Sequence, residues 1–178
     1  DSVEIANGFL ASSVYGQGVA LKLSCDATFT NCIFRNNGCG NNTSDAERYG
    51  GAIGAQKGTL RVYDCEFIEN RIAATGGYNV KAAGGAIGAK EATVIIDNCK
   101  FDANYVQTAH NRPYGGGALA FISCSSVDIG NCHFMTNYAR VNTGDGSYGS
   151  DNQWNPSWNP LFRGGTIYAN GGAIKIHD

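Results

Sequence analysis

The chain carries one short pattern four times: Asn or Asp, then Cys, any residue, Phe, two residues, and Asn. It reads Asn31-Cys32-Ile33-Phe34 to Asn37, Asp64-Cys65-Glu66-Phe67 to Asn70, Asn98-Cys99-Lys100-Phe101 to Asn104, and Asn131-Cys132-His133-Phe134 to Asn137. Each copy follows a glycine start, at Gly18, Gly50, Gly84 and Gly116, and the starts are 32, 34 and 32 residues apart. A period of that length means a stack of like supersecondary units.

Three apolar stripes alternate with polar residues inside each unit. The first runs Leu21, Ile53, Ile87, Leu119. The second pairs Ala27 with Phe29, Leu60 with Val62, Val94 with Ile96, and Val127 with Ile129. The third is the Cys and Phe pair itself. Alternation at period two means strands with one buried face. No unit offers an amphipathic helix, so helix-containing repeats do not apply. The expected fold is an all-β, right-handed parallel β-helix of about five coils, each of three short strands, with the loops gathered on one side. The handedness follows the general preference for right-handed crossovers. Its expected parts are a half-coil at 1–13, coils at 18–37, 50–70, 84–104 and 116–137, a long loop insertion at 138–170, and a half-coil at 171–178.

Stacking coils places equivalent residues about 4.8 Å apart. Phe34, Phe67, Phe101 and Phe134 then form an interior aromatic column. Asn37, Asn70, Asn104 and Asn137 form an amide ladder that satisfies turn backbone. Cys32, Cys65, Cys99 and Cys132 form a thiol column in a position that suits a small apolar side chain. Parallel side-chain vectors make disulfides within that column awkward. Cys25 and Cys39 fall in one coil and are close enough in sequence to pair. Cys124 is then left as a lone buried thiol.

Composition supports a folded chain. The 25 glycines are interleaved with aliphatic and aromatic residues, and charged residues are 16 % of 178. A net charge of −2 without a basic run argues against a nucleic-acid partner. No apolar stretch approaches the roughly 18 residues of a membrane span, so no membrane insertion is expected. The absence of a Cys-x-x-Cys pair argues against a zinc or redox site, and no cofactor is expected. A chain opening on Asp1 reads as mature, processed or a fragment.

The recurring Gly-Gly-Ala-Ile and Phe-x-x-Asn motifs, over Gly18 to Asn137, resemble the repeats of the chlamydial polymorphic outer membrane proteins. The resemblance implies a right-handed β-helix and an extracellular or cell-surface setting with an adhesive role. That family's C-terminal membrane barrel has no counterpart in this sequence.

Stretches Gly38 to Tyr49, Arg71 to Ala83, Tyr105 to Gly115 and Tyr138 to Asn170 read as loops leaving one corner. The longest holds both tryptophans, Trp154 and Trp158, a candidate surface for glycan or a protein partner. Two overlapping glycosylation sequons place candidate acceptors at Asn41 and Asn42. Asn142 to Asp151 is a Gly/Asp loop that could wrap calcium, although such loops are commonly only loops. Asp64, Glu66, Glu69, Asp97 and Asp102 cluster across two coils. They lack a matching His or Arg, so the protein does not read as an enzyme. His110, His133 and His177 stand in three separate contexts and make no metal site.

The ends carry a further expectation. "GGAIKIHD", Gly171 to Asp178, reads as the start of a coil, and Asp1 to Ser13 as the remainder of one. Val3 and Ile5 would fall on Leu60 and Val62, Leu10 on Phe67, and Ser13 on Asn70. Joined end to start, the two halves make one repeat with no residue over. A head-to-tail contact through Val3, Ile5, Leu10, Gly171, Gly172, Ala173, Ile174 and Ile176 would build an open filament of copies of the chain, rising about 24 Å per copy. The expected function is therefore an extracellular fibre subunit. The alternatives are an adhesin or glycan-binding segment of a larger surface β-helix, and a polysaccharide lyase or hydrolase.

Overall fold

The computed structural model describes residues 3–10, 21–40, 47–74, 81–108, 113–141 and 165–178. Among them are 23 strands and no helix, in parallel sheets stacked as a β-solenoid. The first coil holds β1 (Val3–Ala6), β2 (Phe9–Leu10), β3 (Leu21–Leu23) and β4 (Ala27–Thr30). The second holds β5 (Cys32–Arg35), β6 (Gly38–Gly40), β7 (Glu47–Tyr49), β8 (Ile53–Gln56) and β9 (Thr59–Tyr63). The third holds β10 (Glu66–Ile68), β11 (Arg71–Ala74), β12 (Lys81–Ala83), β13 (Ile87–Lys90) and β14 (Thr93–Asp97). The fourth holds β15 (Lys100–Asp102), β16 (Tyr105–Thr108), β17 (Pro113–Gly115), β18 (Leu119–Ile122) and β19 (Ser126–Gly130). The last holds β20 (His133–Met135), β21 (Tyr138–Val141), β22 (Ile167–Asn170) and β23 (Ala173–His177).

Four sheets result, in orders β1-β5-β10-β15-β20, β2-β6-β11-β16-β21, β22-β18-β13-β8-β3 and β23-β19-β14-β9-β4, with a shorter fifth, β17-β12-β7. Only three coils contain all five strands, so the solenoid has about three complete turns rather than five.

The coil is also richer than three strands. The Cys–Phe, Ile53-type and Leu60-type stripes become three walls around the main core. The stretches read as loops carry two further strands each: β6 and β7, β11 and β12, β16 and β17, β21 and β22. In the middle coils these run out and return as a second, smaller lobe. Cys39, Ile72 and Val106 pack there against Ala82. Tyr49 and Ala83 cover the outer side of the β8–β13–β18 wall with Ala120 and Tyr168. Small outward residues such as Gly88 permit this layer: a Cβ on Gly88 would lie 2.6 Å from the Cβ of Tyr49. Sequence alternation identified the walls but not the lobe, because the lobe's short strands are made of Ala, Gly and polar residues.

The sharp corners rest on left-handed backbone. The residue before each ladder Asn is at positive φ: Asn36 (53°), Glu69 (55°), Ala103 (52°) and Thr136 (49°). So is the residue before each column Cys: Asn31 (54°), Asp64 (54°), Asn98 (50°) and Asn131 (49°). Asn and Asp tolerate this region better than other side chains, which accounts for the Asn/Asp that precedes every Cys.

Candidate functional site

The repeated residues form three interior columns. Phe34, Phe67, Phe101 and Phe134 stack with ring centroids 4.8, 4.9 and 4.9 Å apart and planes within 2–9° of parallel. Phe34, Phe67 and Phe101 are fully buried. One turn on, the amides of Asn37, Asn70, Asn104 and Asn137 make a continuous ladder. Asn37 donates its backbone N–H (3.1 Å) and Nδ2 (3.0 Å) to Asn70 Oδ1, and Asn104 does the same to Asn137 Oδ1, at 3.0 Å each. Each Nδ2 gives its second hydrogen to a carbonyl one coil back: Ile5 (2.8 Å), Phe34 (2.8 Å), Phe67 (2.9 Å) and Phe101 (2.8 Å). Burying an amide is costly unless it is bonded, and these are bonded in full.

The thiol column is as regular. Cys32, Cys65, Cys99 and Cys132 each donate to the carbonyl two residues earlier: Thr30 (3.4 Å), Tyr63 (3.1 Å), Asp97 (3.2 Å) and Gly130 (3.0 Å). The backbone N–H groups of Cys32 and Cys65 donate to the sulfur one coil on, at 3.3 and 3.4 Å. The Cys99 thiol, hydrogen-bonded to those of Cys132 and Cys65, is pushed up and keeps its proton. Hydrogen bonding from Cys99 lowers Cys65 to about 7 and also lowers Cys132. Burial raises Cys32 and Cys124.

Cys25 and Cys39 are not a pair. All seven cysteines are free thiols: Cys25 is exposed at the turn before β4, whereas Cys39 is buried in the second lobe. They sit on different walls of the solenoid, and proximity in sequence says nothing about that. Beside Cys39 lies Arg48, only 2 % exposed. Burial raises the Cys39 thiol, and Arg48 offsets part of that rise. Nothing in the sequence around Arg48 marks it as interior, because its strand was read as loop.

The acidic residues are spread along the outer surface and engaged between coils. Asn98 Nδ2 donates to Asp64 Oδ1 (2.6 Å), and Asn131 Nδ2 to Asp97 Oδ1 (2.9 Å). Thr136 Oγ1 donates to Asp102 Oδ1 (2.7 Å), and Lys100 pairs with Glu66 (3.1 Å). Asp64, Asp97, Asn98, Asn131, Cys132, His133 and Asp178 line a surface cleft of about 650 Å³. His177 lies 3.0 Å from Asp128, apart from His133. Among the described residues, no three His, Cys, Asp or Glu side chains converge to hold a metal ion. Trp154, Trp158, Asn41, Asn42, His110 and the Asn142–Asp151 loop lie outside the described residues.

Both ends take a different register from the expected one. Val3 pairs with Cys32 and Ile5 with Phe34, so they belong to the Cys and Phe columns rather than those of Leu60 and Val62. Leu10 pairs with Cys39, not in the Phe column. Gly8, not Ser13, stands in the Asn column, donating its N–H to Asn37 Oδ1 at 2.9 Å.

At the other end, Ala173 pairs with Ser126, Ile174 with Val127 and Ile176 with Ile129. Gly171-Gly172-Ala173-Ile174 is therefore not a coil start but the entry to the Leu60-type wall. The true counterpart of the Gly-Gly-Ala starts is Gly165-Thr166-Ile167. Gly117 and Ala118 donate to the Gly165 and Thr166 carbonyls (2.8 and 2.9 Å), as Gly85 and Ala86 do to those of Gly117 and Ala118 (2.9 Å each). Ile167 accordingly pairs with Leu119. Gly-Gly serves at both corners because both demand left-handed backbone, with φ of 79° at Gly50 and 81° at Gly171. In the observed register Asp178 takes the place of Asn131, and Val3 that of Cys132. An end-to-start join thus carries Asp1 and Ser2 in excess, and the half-coil joint does not hold.

What the two ends present instead is whole rungs. Strands β1 to β4 close one end of their sheets and β20 to β23 the other, each paired on one side only. Exposed apolar side chains accompany them: Val3 (55 %), Phe9 (54 %), Ile174 (39 %) and Ile176 (61 %).

No family model matches the chain. No curated protein matches it, and no solved structure does either.

Proposed function

We propose that the protein is an extracellular structural protein, a β-solenoid rod that lengthens by stacking head to tail on copies of itself. The observation that carries this reading is the matched pair of open ends. If β1 to β4 of one copy add to β20 to β23 of another, all four long sheets continue in register. Ile5 then follows Phe134, Val3 follows Cys132, Ala27 follows Ile174 and Phe29 follows Ile176, extending the columns described above. Backbone groups on both edges gain partners, and the exposed apolar side chains are covered. This contact is heterologous and does not close on itself, so it propagates. The extracellular setting is supported by the resemblance of the repeats to those of the chlamydial polymorphic outer membrane proteins.

Negative-stain electron microscopy of the purified chain tests the reading. Filaments with an axial repeat of about 24 Å, five rungs of about 4.8 Å, are the expected result. A dispersed monomer at millimolar concentration would overturn it.

A second reading, a glycan- or protein-binding surface, is favoured by one outer column. Phe9, Arg71, Tyr105 and Tyr138 follow one another along β2, β11, β16 and β21, with the two tyrosine rings stacked 5.1 Å apart. Arg71 lies 5.8 Å above the Phe9 ring. Binding to a glycan array that disappears in Tyr105→Ala, with the fold retained, would support it. An array with no positive signal counts against it.

A further inference from the structure

The thiol column has a property that its packing role does not use. Cys32, Cys65, Cys99 and Cys132 share one rotamer, since every Sγ reaches the carbonyl two residues earlier. Their sulfurs therefore repeat at the rung spacing, which the adjacent Phe column sets at 4.8–4.9 Å. Soft metal–thiolate bonds run about 2.3 Å, the zinc–sulfur figure. Two such bonds in a line span about 4.6 Å. A cation midway between successive sulfurs would sit at bonding distance from both, with little movement of the backbone.

We propose that this column is a binding site for soft monovalent cations, Cu(I) or Ag(I), held in linear two-coordination between stacked cysteines. Ligand number decides the class of ion. A tetrahedral zinc site needs three or four converging ligands, and no such group exists among the described residues. Thiolate sulfur selects the soft cations. Charge decides the stoichiometry. If each inner sulfur bridges two ions, three cations sit on four thiolates and leave one net negative charge. Isolated thiolates in the same core would be far more costly. Four thiols lose four protons as three cations enter, so the balance closes without any redox step. The N–H groups of Cys32 and Cys65 already point at neighbouring sulfurs, at 3.3 and 3.4 Å, and would support the charge on them. Entry is available at Cys132, which lines the surface cleft.

The test is anaerobic titration of the reduced protein with Ag(I), followed by desalting, native mass spectrometry and ultraviolet absorption. Cys25→Ser serves as the background, to remove the exposed thiol. Three retained ions with a thiolate-to-metal absorption band are expected. Cys132→Ser should retain two, and Cys99→Ser, which leaves only the Cys32–Cys65 gap, should retain one. Zn(II) under the same conditions should be lost on desalting. Retention unchanged in both variants would overturn the site, as would no retention in the background protein. A loss of two mass units per cysteine pair, marking disulfides instead, would overturn it also. Cys132 is half-exposed, so its variant keeps the test decisive if Cys99→Ser does not fold.

Discussion

Asn70 donates both its backbone N–H and its side-chain Nδ2 to the single Oδ1 of Asn104, at 3.0 Å each. The same amide gives its other hydrogen to the Phe34 carbonyl (2.8 Å), while its own oxygen accepts two bonds from Asn37. One fully buried side chain thereby joins three successive coils at the corner where their backbone turns left-handed.

Replacing Asn70 with Ala strands two donors on Asn37 and the carbonyl of Phe34. With about 1–3 kcal/mol for each buried group left unsatisfied, the expected loss is roughly 3–5 kcal/mol. Asn137→Ala should cost less, because that residue is half-buried at the end of the described ladder. Urea unfolding of the two variants checks the order.

The aromatic column predicts a gradient along the rod. Phe67 is fully enclosed between two rings, and Phe67→Ala should cost about 3–5 kcal/mol. Phe134 has a ring on one side only and is partly exposed. Phe134→Ala should cost clearly less in dilute protein. The gap between the two should narrow under conditions that favour stacking of copies, since the next rung would cover Phe134.

Gly85 and Gly165 occupy the same corner position in different coils. A Cβ on Gly85 would meet the Gly117 carbonyl oxygen at 2.2 Å and the backbone of Tyr105 at 2.6 Å, none of which can yield. A Cβ on Gly165 meets nothing within 4 Å. Gly85→Ala should therefore fail to give a folded chain or lose more than about 3 kcal/mol, while Gly165→Ala stays within about 0.5 kcal/mol. Circular dichroism melts separate these outcomes.

Burial raises the Cys124 thiol, so the folded state holds that proton more tightly than the unfolded chain does. Its contribution is fully present below the unfolded thiol value of about 8.5 and is lost as pH rises through the higher folded value. Between about pH 8 and 10 the melting temperature should fall more steeply for the native sequence than for Cys124→Ala. Parallel slopes would show that another group governs the alkaline limb.

The three walls of the main core were legible in the sequence. Wherever Phe, Cys, Asn, Leu, Ile and Val recur at the period, identical side chains can only be stacked in one way, and the pairings of Leu21 with Ile53, Leu60 with Val94 and Phe67 with Phe101 follow. The second lobe was not legible. Its strands carry small and polar residues whose burial depends on a neighbouring layer, as the enclosure of Arg48 beside Cys39 illustrates. The register of the ends was not legible either. Gly-Gly-Ala-Ile at 171–174 is the same string as a coil start, and only the hydrogen bonds of Gly165 and Thr166 to the coil before it reveal which corner it turns. The sequence by itself determined that this chain stacks like residues into columns, because a regular apolar period has one low-energy arrangement. Only the tertiary structure decided where each rung begins, because left-handed corners accept the same glycines wherever they occur and backbone pairing alone tells them apart.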